Sequence, residues 1–261
     1  MTADLSPIDR AKYAAARRAV DYVEDGMRVG LGTGSTAAWM VRLLGRMVRE
    51  DGLRITGVPT SRRTAELARE AGVPLVALDE ARWLDLTIDG ADEVGPELAL
   101  IKGGGGALLH EKIVAAASDR IVVIADAAKH VGALGAFPLP VEVIGFGWQT
   151  TRTLIAEALE GLDVLGRDIA LRMDGGTPLR TDEGNLILDL RLQRIGDPRR
   201  LAMVLNLIPG VVENGLFLDL CDRAVIGHGD GRIEILSDDG TVEADRIDLG
   251  EPVNLFRDPA D

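Results

Sequence analysis

Short apolar runs alternate with segments of helical spacing along the first half of the chain. Runs typical of buried strands recur at 29–31, 53–58, 73–78, 84–88, 98–101 and 121–125. Between them, apolar residues follow helical spacing, with start signals such as Ser6 before Pro7 and stop signals such as Gly72. Strands that alternate with helices in this way are typical of a parallel sheet. The pattern predicts an α/β fold with a Rossmann-like parallel sheet and helices on both faces.

The pattern changes after Pro138 and Pro140. Predicted strands at 141–146, 163–172, 185–192 and 211–218, with predicted helices at 149–159 and 197–207, follow in the order β-α-β-β-α-β. This order is that of a ferredoxin-like α+β unit. We therefore expect two domains, a Rossmann-like catalytic domain of residues 1–137 with 213–261 and a smaller ferredoxin-like domain of residues 138–212.

The last part of the chain is expected to return to the first sheet. Residues 224–226 read as a strand of that sheet, and turn signals at 229–231 and 239–240 predict small hairpins. The acidic segment beyond Asp245 is expected to be loosely held.

Charge and composition narrow the function classes. The net charge is −13 at pH 7, whereas nucleic acid needs a basic face. No apolar run approaches the ~18 residues of a membrane span, and residues 1–9 lack the basic and apolar regions of a signal peptide. The single cysteine, Cys221, excludes an internal disulfide and fits a reducing compartment. We expect a cytoplasmic protein with no nucleic-acid or membrane partner.

Lysines are rare and therefore informative. Only four of the 29 basic residues are lysines, at Lys12, Lys102, Lys112 and Lys129. In a chain so biased toward arginine, these are candidates for positions that need a compact, flexible ammonium group. Such cations would offset the acidic field of the protein if the substrate were an anion.

A glycine loop at 32–37 follows a predicted strand and opens a predicted helix. Backbone N–H groups at the positive end of a helix dipole bind phosphate, and Ser35 and Thr36 add hydroxyl groups. The same residues also fit a dinucleotide fingerprint, but the next predicted strand does not end in the acid which that motif requires. A Walker loop is excluded because no lysine precedes Ser35. A purely structural turn capped by Ser35 stays open.

Acidic residues follow the predicted strand at 84–88. Asp89, Asp92 and Glu93 lie within five positions, where the carboxyl end of a parallel strand would hold a ligand. They are candidates for binding hydroxyl groups or a divalent metal, and a solvated acidic loop is the alternative. The three histidines, at 110, 130 and 228, have no metal-ligand spacing.

Lys102 precedes four consecutive glycines, at 103–106. Such a run has a large entropic cost, which is plausible where backbone wraps around a ligand. Glu111 falls one turn into the next predicted helix, where it either faces the loop or is an ordinary exposed acid. Lys129 follows the strand at 121–125, so we expect Lys102 and Lys129 at the same sheet edge, within reach of Lys12. Lys112 has no evident role.

Together these segments resemble ribose 5-phosphate isomerase of the A type. The matching segments are 30–37, 87–93, 102–108 and 111–113, with further similarity at 208–212 and 215–217. The resemblance runs from the first helix to about Gly227. It implies interconversion of ribose 5-phosphate and ribulose 5-phosphate, a step of the non-oxidative pentose phosphate pathway, without a metal or cofactor.

The resemblance also implies residue roles. Glu111 would move a proton between C1 and C2, Lys102 would stabilise the enediolate oxygen, and Asp89 and Asp92 would surround the sugar oxygens and help to open the furanose ring. Substrate contacts are implied for Thr33, Gly34, Ser35, Thr36, Gly90, Ala91, Gly103, Gly104, Gly105, Lys129 and Lys12.

Two features depart from the family pattern. Ala128 stands where the family has serine, and the tail after about Ile235 is longer than expected.

Two other classes of function are the alternatives. A sugar-phosphate sensor would lack Glu111 and carry a DNA-binding domain, and an acyl or CoA transferase would place its glutamate after different glycines. We expect the isomerase, with a small sugar phosphate as its ligand, as a homodimer or homotetramer.

Overall fold

The structure is a computed structural model, and the described residues are 5–249. Its helices are α1 (Pro7–Ala19), α2 (Ser35–Arg46), α3 (Arg62–Ala71), α4 (Leu78–Ala81), α5 (Leu108–Ala116), α6 (Trp148–Leu159) and α7 (Pro198–Asn206). Its first eight strands are β1 (Arg28–Leu31), β2 (Thr56–Pro59), β3 (Leu86–Gly90), β4 (Glu93–Val94), β5 (Leu100–Ile101), β6 (Ile121–Asp126), β7 (Leu139–Val143) and β8 (Asp168–Leu171). The others are β9 (Met173–Asp174), β10 (Thr177–Pro178), β11 (Leu186–Arg191), β12 (Val211–Asn214), β13 (Leu216–Phe217), β14 (Arg223–Gly227), β15 (Arg232–Ser237) and β16 (Val242–Arg246).

The chain forms two compact units. The first comprises described residues 5–90, 114–130 and 221–249, and the second comprises residues 91–113 and 131–220. The unit boundaries thus lie elsewhere than the predicted domain boundaries at 137/138 and 212/213, which remain a prediction.

The first unit is built on a seven-stranded sheet of order β16-β15-β14-β6-β3-β1-β2. The five strands from β14 to β2 are parallel, and β15 and β16 add antiparallel hairpins. Helices α1 to α3 pack on one face around residues such as Leu31 and Ile88. On the other face, Val114 of α5 packs with Val58 and Leu84. The predicted Rossmann-like fold is therefore confirmed, as are the return to the first sheet at 224–226 and the two C-terminal hairpins.

The second unit contains the predicted ferredoxin-like arrangement. Strands β7, β8, β11 and β12 form an antiparallel sheet of order β12-β7-β11-β8, and α6 and α7 supply apolar residues such as Ile155 and Leu201 to its core. A separate three-stranded antiparallel sheet has the order β13-β5-β4. This small sheet carries Lys102 at the end of β5.

Several predicted strands are wrong in extent or partner. The predicted strand at 73–78 is reduced to an isolated bridge between Gly57 and Leu75, because Pro74 has no N–H to donate to a ladder, and Leu78 already begins α4. The predicted strand at 141–146 ends at Val143. Gly147, with a left-handed φ of 65°, is already the N-cap residue of α6. The predicted strand at 163–172 is reduced to β8.

The predicted strand at 211–218 is two strands. It divides at Gly215, where an added Cβ would lie 2.3 Å from the carbonyl oxygen of Lys102. After this close approach, β13 pairs with β5 rather than with the ferredoxin-like sheet. Because β5 and β6 belong to different sheets, the expectation that Lys102 and Lys129 share one sheet edge is wrong. Of the segment beyond Asp245, residues 250–261 lie outside the described residues.

Candidate functional site

In the first unit, the glycine loop and Asp89 are held together at the ends of neighbouring strands. Leu31 of β1 pairs with Ile88 of β3, which places the following residues side by side. Asp89 is 2% exposed, and its Oδ1 accepts the N–H groups of Thr33 at 3.0 Å and Gly90 at 2.7 Å. A Cβ at position 32 would lie 2.1 Å from that Oδ1. Glycine at 32 is therefore what allows this approach.

Helix α2 begins without a side-chain cap. Gly34 is the N-cap residue, with φ 111°, and no side chain of the described residues accepts a hydrogen bond there. The alternative in which Ser35 caps the turn is wrong, because Ser35 is already the first residue of the helix and is exposed. The first backbone N–H groups of a helix carry partial positive charge and need acceptors. This end of α2 has the chemistry of an anion site.

The hydroxyl group of Thr33 braces the loop from within the protein. Its Oγ1 lies 2.8 Å from both Thr60 Oγ1 and Ser61 Oγ, and 3.0 Å from Thr64 Oγ1. Ser61 also caps α3 by accepting the Thr64 N–H. Sequence analysis missed this hydroxyl cluster, although the hydroxyl residues at 60, 61 and 64 directly follow β2 and were its signal.

Two lysines lie toward the same C-terminal end of this parallel sheet. Lys129 ends a short 3₁₀ turn after β6, and that turn is fixed by Asp126 Oδ1, which accepts the Ala128 N–H. Lys12 is on α1, next to Ala11. The carbonyl oxygen of Ala11 lies 2.1 Å from where a Cβ of Gly227, at the end of β14, would be. Helix α1 therefore contacts the end of β14, the strand beside β6.

In the second unit, Lys102 and Glu111 form a buried pair. Each residue is 3% exposed, and Lys102 Nζ lies 3.5 Å from Glu111 Oε2. Lys102 follows β5, where its N–H donates to Gly215, and Glu111 is in the first turn of α5. The interpretation of Glu111 as an exposed surface acid is therefore wrong. A buried carboxylate beside an ammonium group can exchange a proton with a ligand while the cation stabilises negative charge.

The loop at 103–106 uses its glycines for identifiable reasons. Gly103 and Gly106 have left-handed φ values of 101° and 82°, which side chains rarely adopt. Gly104 donates its N–H to Asp92 Oδ2 at 2.7 Å, and a Cβ there would lie 2.5 Å from Asp92 Oδ1. Asp92 thus holds the loop that follows Lys102.

Lys112 acquires the role that sequence analysis could not assign. Its Nζ lies 2.9 Å from Glu213 Oε1 and donates to the Asn214 carbonyl at 2.7 Å. Burial lowers the pKa of the Lys112 ammonium group, an effect that the hydrogen bond and charge of Glu213 oppose. The ring of Phe217 lies 4.8 Å from Lys112 Nζ and 5.4 Å from Lys102 Nζ. Lys112 therefore ties the start of α5 to β12.

We expect Lys112→Met to reduce stability rather than turnover. Loss of the bonds to Glu213 and Asn214 should lower the free energy of unfolding by roughly 1–3 kcal/mol, measured by urea denaturation. A double-mutant cycle with Glu213→Gln isolates the pairwise contribution. A kcat that falls while the free energy of unfolding stays unchanged would place Lys112 in the catalytic machinery instead.

The predicted site residues divide between the two units. The first unit holds Lys12, Thr33, Gly34, Ser35, Thr36, Asp89, Gly90 and Lys129, and the second holds Ala91, Asp92, Lys102, Gly103, Gly104, Gly105 and Glu111. Within residues 5–249, no three His, Cys, Asp or Glu side chains are grouped as metal ligands would be. Over the same residues, no helix has the length and apolar character needed to cross a membrane.

Comparisons with known proteins place these features in one family. The family model described as ribose 5-phosphate isomerase A (phosphoriboisomerase A) matches residues 56–231, more than half of the chain. A curated relative from Ruegeria sp. (strain TM1040), named ribose-5-phosphate isomerase A, is 70% identical over 259 residues, which cover 99% of each chain.

Solved structures agree with the sequence comparison. Ribose 5-phosphate isomerase A from Methanocaldococcus jannaschii matches with a TM-score of 0.80 and 41% identity, over 87% of this chain and 98% of that one. A structure of D-ribose-5-phosphate isomerase in complex with phospho-erythronic acid matches with a TM-score of 0.80 and 37% identity, over 93% of this chain and 100% of that one.

Proposed function

Since the chain belongs to the ribose 5-phosphate isomerase A family, we propose that it interconverts D-ribose 5-phosphate and D-ribulose 5-phosphate through an enediolate, with Glu111 as the base and no metal. The observation that carries this proposal is the buried pair of Lys102 and Glu111, 3.5 Å apart. An aldose–ketose isomerase needs one mobile base and one group that stabilises the oxygen on which charge develops. The pair supplies both.

The proton is moved between adjacent carbons. The Glu111 carboxylate removes the proton from C2 of the open-chain aldose, and the electrons of that bond form the C1–C2 double bond while O1 becomes an oxyanion. The Lys102 ammonium group stabilises this charge. Glu111 then returns the proton to C1, the C2 oxygen becomes the ketone, and its hydroxyl proton passes to O1.

The acidic residues at 89–93 bind the sugar oxygens in this proposal. Asp89 and Asp92 accept hydrogen bonds from substrate hydroxyl groups and assist ring opening, with backbone contacts from Gly90 and Ala91. Both aspartates are already oriented by backbone N–H groups, Asp89 by Thr33 and Gly90 and Asp92 by Gly104. Oriented acceptors lose less entropy when a ligand binds.

The phosphate group is assigned to the start of α2 and the nearby lysines. The uncapped N-terminal turn from Gly34 to Thr36 offers N–H and hydroxyl donors, and Lys129 and Lys12 supply positive charge in a protein of net charge −13. The solved relative in complex with phospho-erythronic acid binds a phosphorylated sugar acid, which supports a sugar phosphate as the substrate class. Phosphate contacts remote from the reacting carbons supply binding energy.

Assay of the purified protein for ribulose 5-phosphate formation tests this function. We expect turnover of ribose 5-phosphate together with a ligand-induced rise in melting temperature. A rise in melting temperature without turnover would indicate a sugar-phosphate sensor. The absence of both would indicate a different ligand, and a dinucleotide would be tested next.

We also propose that the chain self-associates as a homodimer or homotetramer. The basis is the size of this α/β enzyme and the four-stranded sheet of the second unit. Light scattering at micromolar concentration should give a multiple of the 27.8 kDa chain mass. A mass equal to one chain would contradict the proposal.

A further inference from the structure

Arg172, which follows β8 in the second unit, contacts the backbone of the glycine loop. Its Nη1 donates to the carbonyl oxygen of Gly103 at 2.8 Å and to that of Gly104 at 3.0 Å. The other side of the guanidinium group pairs with Asp189 on β11, through Nε to Oδ2 at 2.9 Å and through Nη2 to Oδ1. The Arg172 and Asp189 side chains are 12% and 19% exposed.

The arrangement holds one peptide segment from both sides. Asp92 accepts the N–H of Gly104, and Arg172 donates to the carbonyl groups before and after it. Four consecutive glycines have more conformational freedom than any other tetrapeptide and lose more entropy when they are ordered. These charged contacts therefore select one conformation from a large ensemble.

The identity of the side chain matters for this contact. A guanidinium group carries five donors in a rigid fork, so that one face can pair with a carboxylate while another donor reaches two carbonyl groups. A lysine ammonium group has no such fork. A carbonyl that accepts from a cation is also polarised, which strengthens the N–H donor of the same peptide, here those of Gly104 and Gly105.

We propose that Arg172, oriented by Asp189, is a positioning residue that orders the glycine loop behind Lys102 before substrate binds. The inference rests on the proposed isomerase function, because the loop residues Gly103 to Gly105 are substrate contacts only in that function. Arg172 acts through the loop backbone and is not itself a catalytic group. Its removal disorders the loop without removing Lys102 or Glu111.

Arg172→Met tests the proposal against a matched control. We expect kcat/KM to fall about 100-fold, the loss typical of a small misplacement of positioned groups. The fall should appear equally in kcat, because the phosphate contacts are untouched. Arg172→Lys keeps the charge and should recover about tenfold of the loss. The control is Arg194→Met, which breaks the exposed pair of Arg194 and Asp163 in the same unit and should leave kcat/KM unchanged.

Hydrogen exchange of the peptide that spans 102–107 supplies a readout that does not depend on activity. In wild type, the Gly104 and Gly106 N–H groups are bonded to Asp92 and to the Gly103 carbonyl. In Arg172→Met these amide hydrogens should exchange faster, while those in peptides from α6 and α7 keep wild-type exchange rates.

Three results would overturn the inference. They are a wild-type kcat/KM in Arg172→Met, a loss of kcat/KM in Arg194→Met as large as that in Arg172→Met, or faster hydrogen exchange in Arg172→Met throughout the second unit rather than at the loop. If the wild-type protein itself fails to isomerise ribose 5-phosphate, the proposed function fails. The hydrogen-exchange data then test by themselves whether Arg172 orders the glycine loop. Unchanged exchange of the loop amides in Arg172→Met would show that it does not.

Discussion

Glu111→Gln should lose turnover by about 10³-fold or more, within the range found when a general base is removed, while the protein still binds ribose 5-phosphate. The amide has nearly the shape of the carboxylate and fits the same buried position, which is 3% exposed. It cannot accept the substrate proton at neutral pH. The substrate contacts proposed for α2, Asp89 and Lys129 are unchanged. Stopped enzyme assays give kcat, and calorimetric titration with ribose 5-phosphate gives the Kd.

The control for this variant is Glu157→Gln. Glu157 is an exposed residue of α6, so its neutralisation should change neither kcat nor Kd. If Glu111→Gln instead lost binding while each bound substrate turned over at the wild-type rate, Glu111 would be a structural residue and another base would be required.

Lys102→Met is expected to lower kcat by about 10²- to 10³-fold, the loss typical of removing an oxyanion-stabilising donor. Methionine keeps the unbranched stem but removes the ammonium group that lies 3.5 Å from Glu111. The enediolate oxygen then has no cation to stabilise it. The substitution also leaves Glu111 as a buried charge without its partner, which favours unfolding. Assays well below the melting temperature of the variant separate the effect on kcat from unfolding.

Lys112→Met is the matched comparison for Lys102→Met. Both lysines face the ring of Phe217, yet one pairs with Glu111 and the other with Glu213. The first substitution should act on kcat and the second on the free energy of unfolding. Equal effects of the two variants on kcat would contradict the assignment of Lys102 as the oxyanion-stabilising residue.

The sequence predicted the layers of the fold better than the sheet partners of short strands. Continuous apolar runs such as 121–125 identify buried parallel strands because both faces must be covered. The two residues of β5 carry no such information, and their antiparallel pairing with β13 depends on contacts across more than 100 positions. The break at Gly215 falls after Glu213 and Asn214 within a segment predicted as one strand, and the change of partner sheet there depends on the approach of the Lys102 carbonyl.

The candidate site was predictable where its residue types were rare. Lys102 stood out among only four lysines, and the four glycines stood out by their repetition. Arg172 could not be recognised among 25 arginines, because its role depends on which backbone carbonyl groups it meets in three dimensions. Thr60 and Ser61 follow β2 in sequence, but their grouping around the Thr33 hydroxyl depends on how β1 and β2 pair.

One measurement tests the proton-transfer mechanism most directly. The wild-type protein is dialysed against EDTA and assayed with ribose 5-phosphate in deuterium oxide. A Glu111 base that acts without a metal predicts that dialysis leaves the rate in deuterium oxide unchanged. It also predicts that some solvent deuterium enters C1 of ribulose 5-phosphate, because the protonated Glu111 carboxyl group can exchange with solvent before it returns its proton to C1. A rate that is lost on dialysis and restored by a divalent cation would contradict the account.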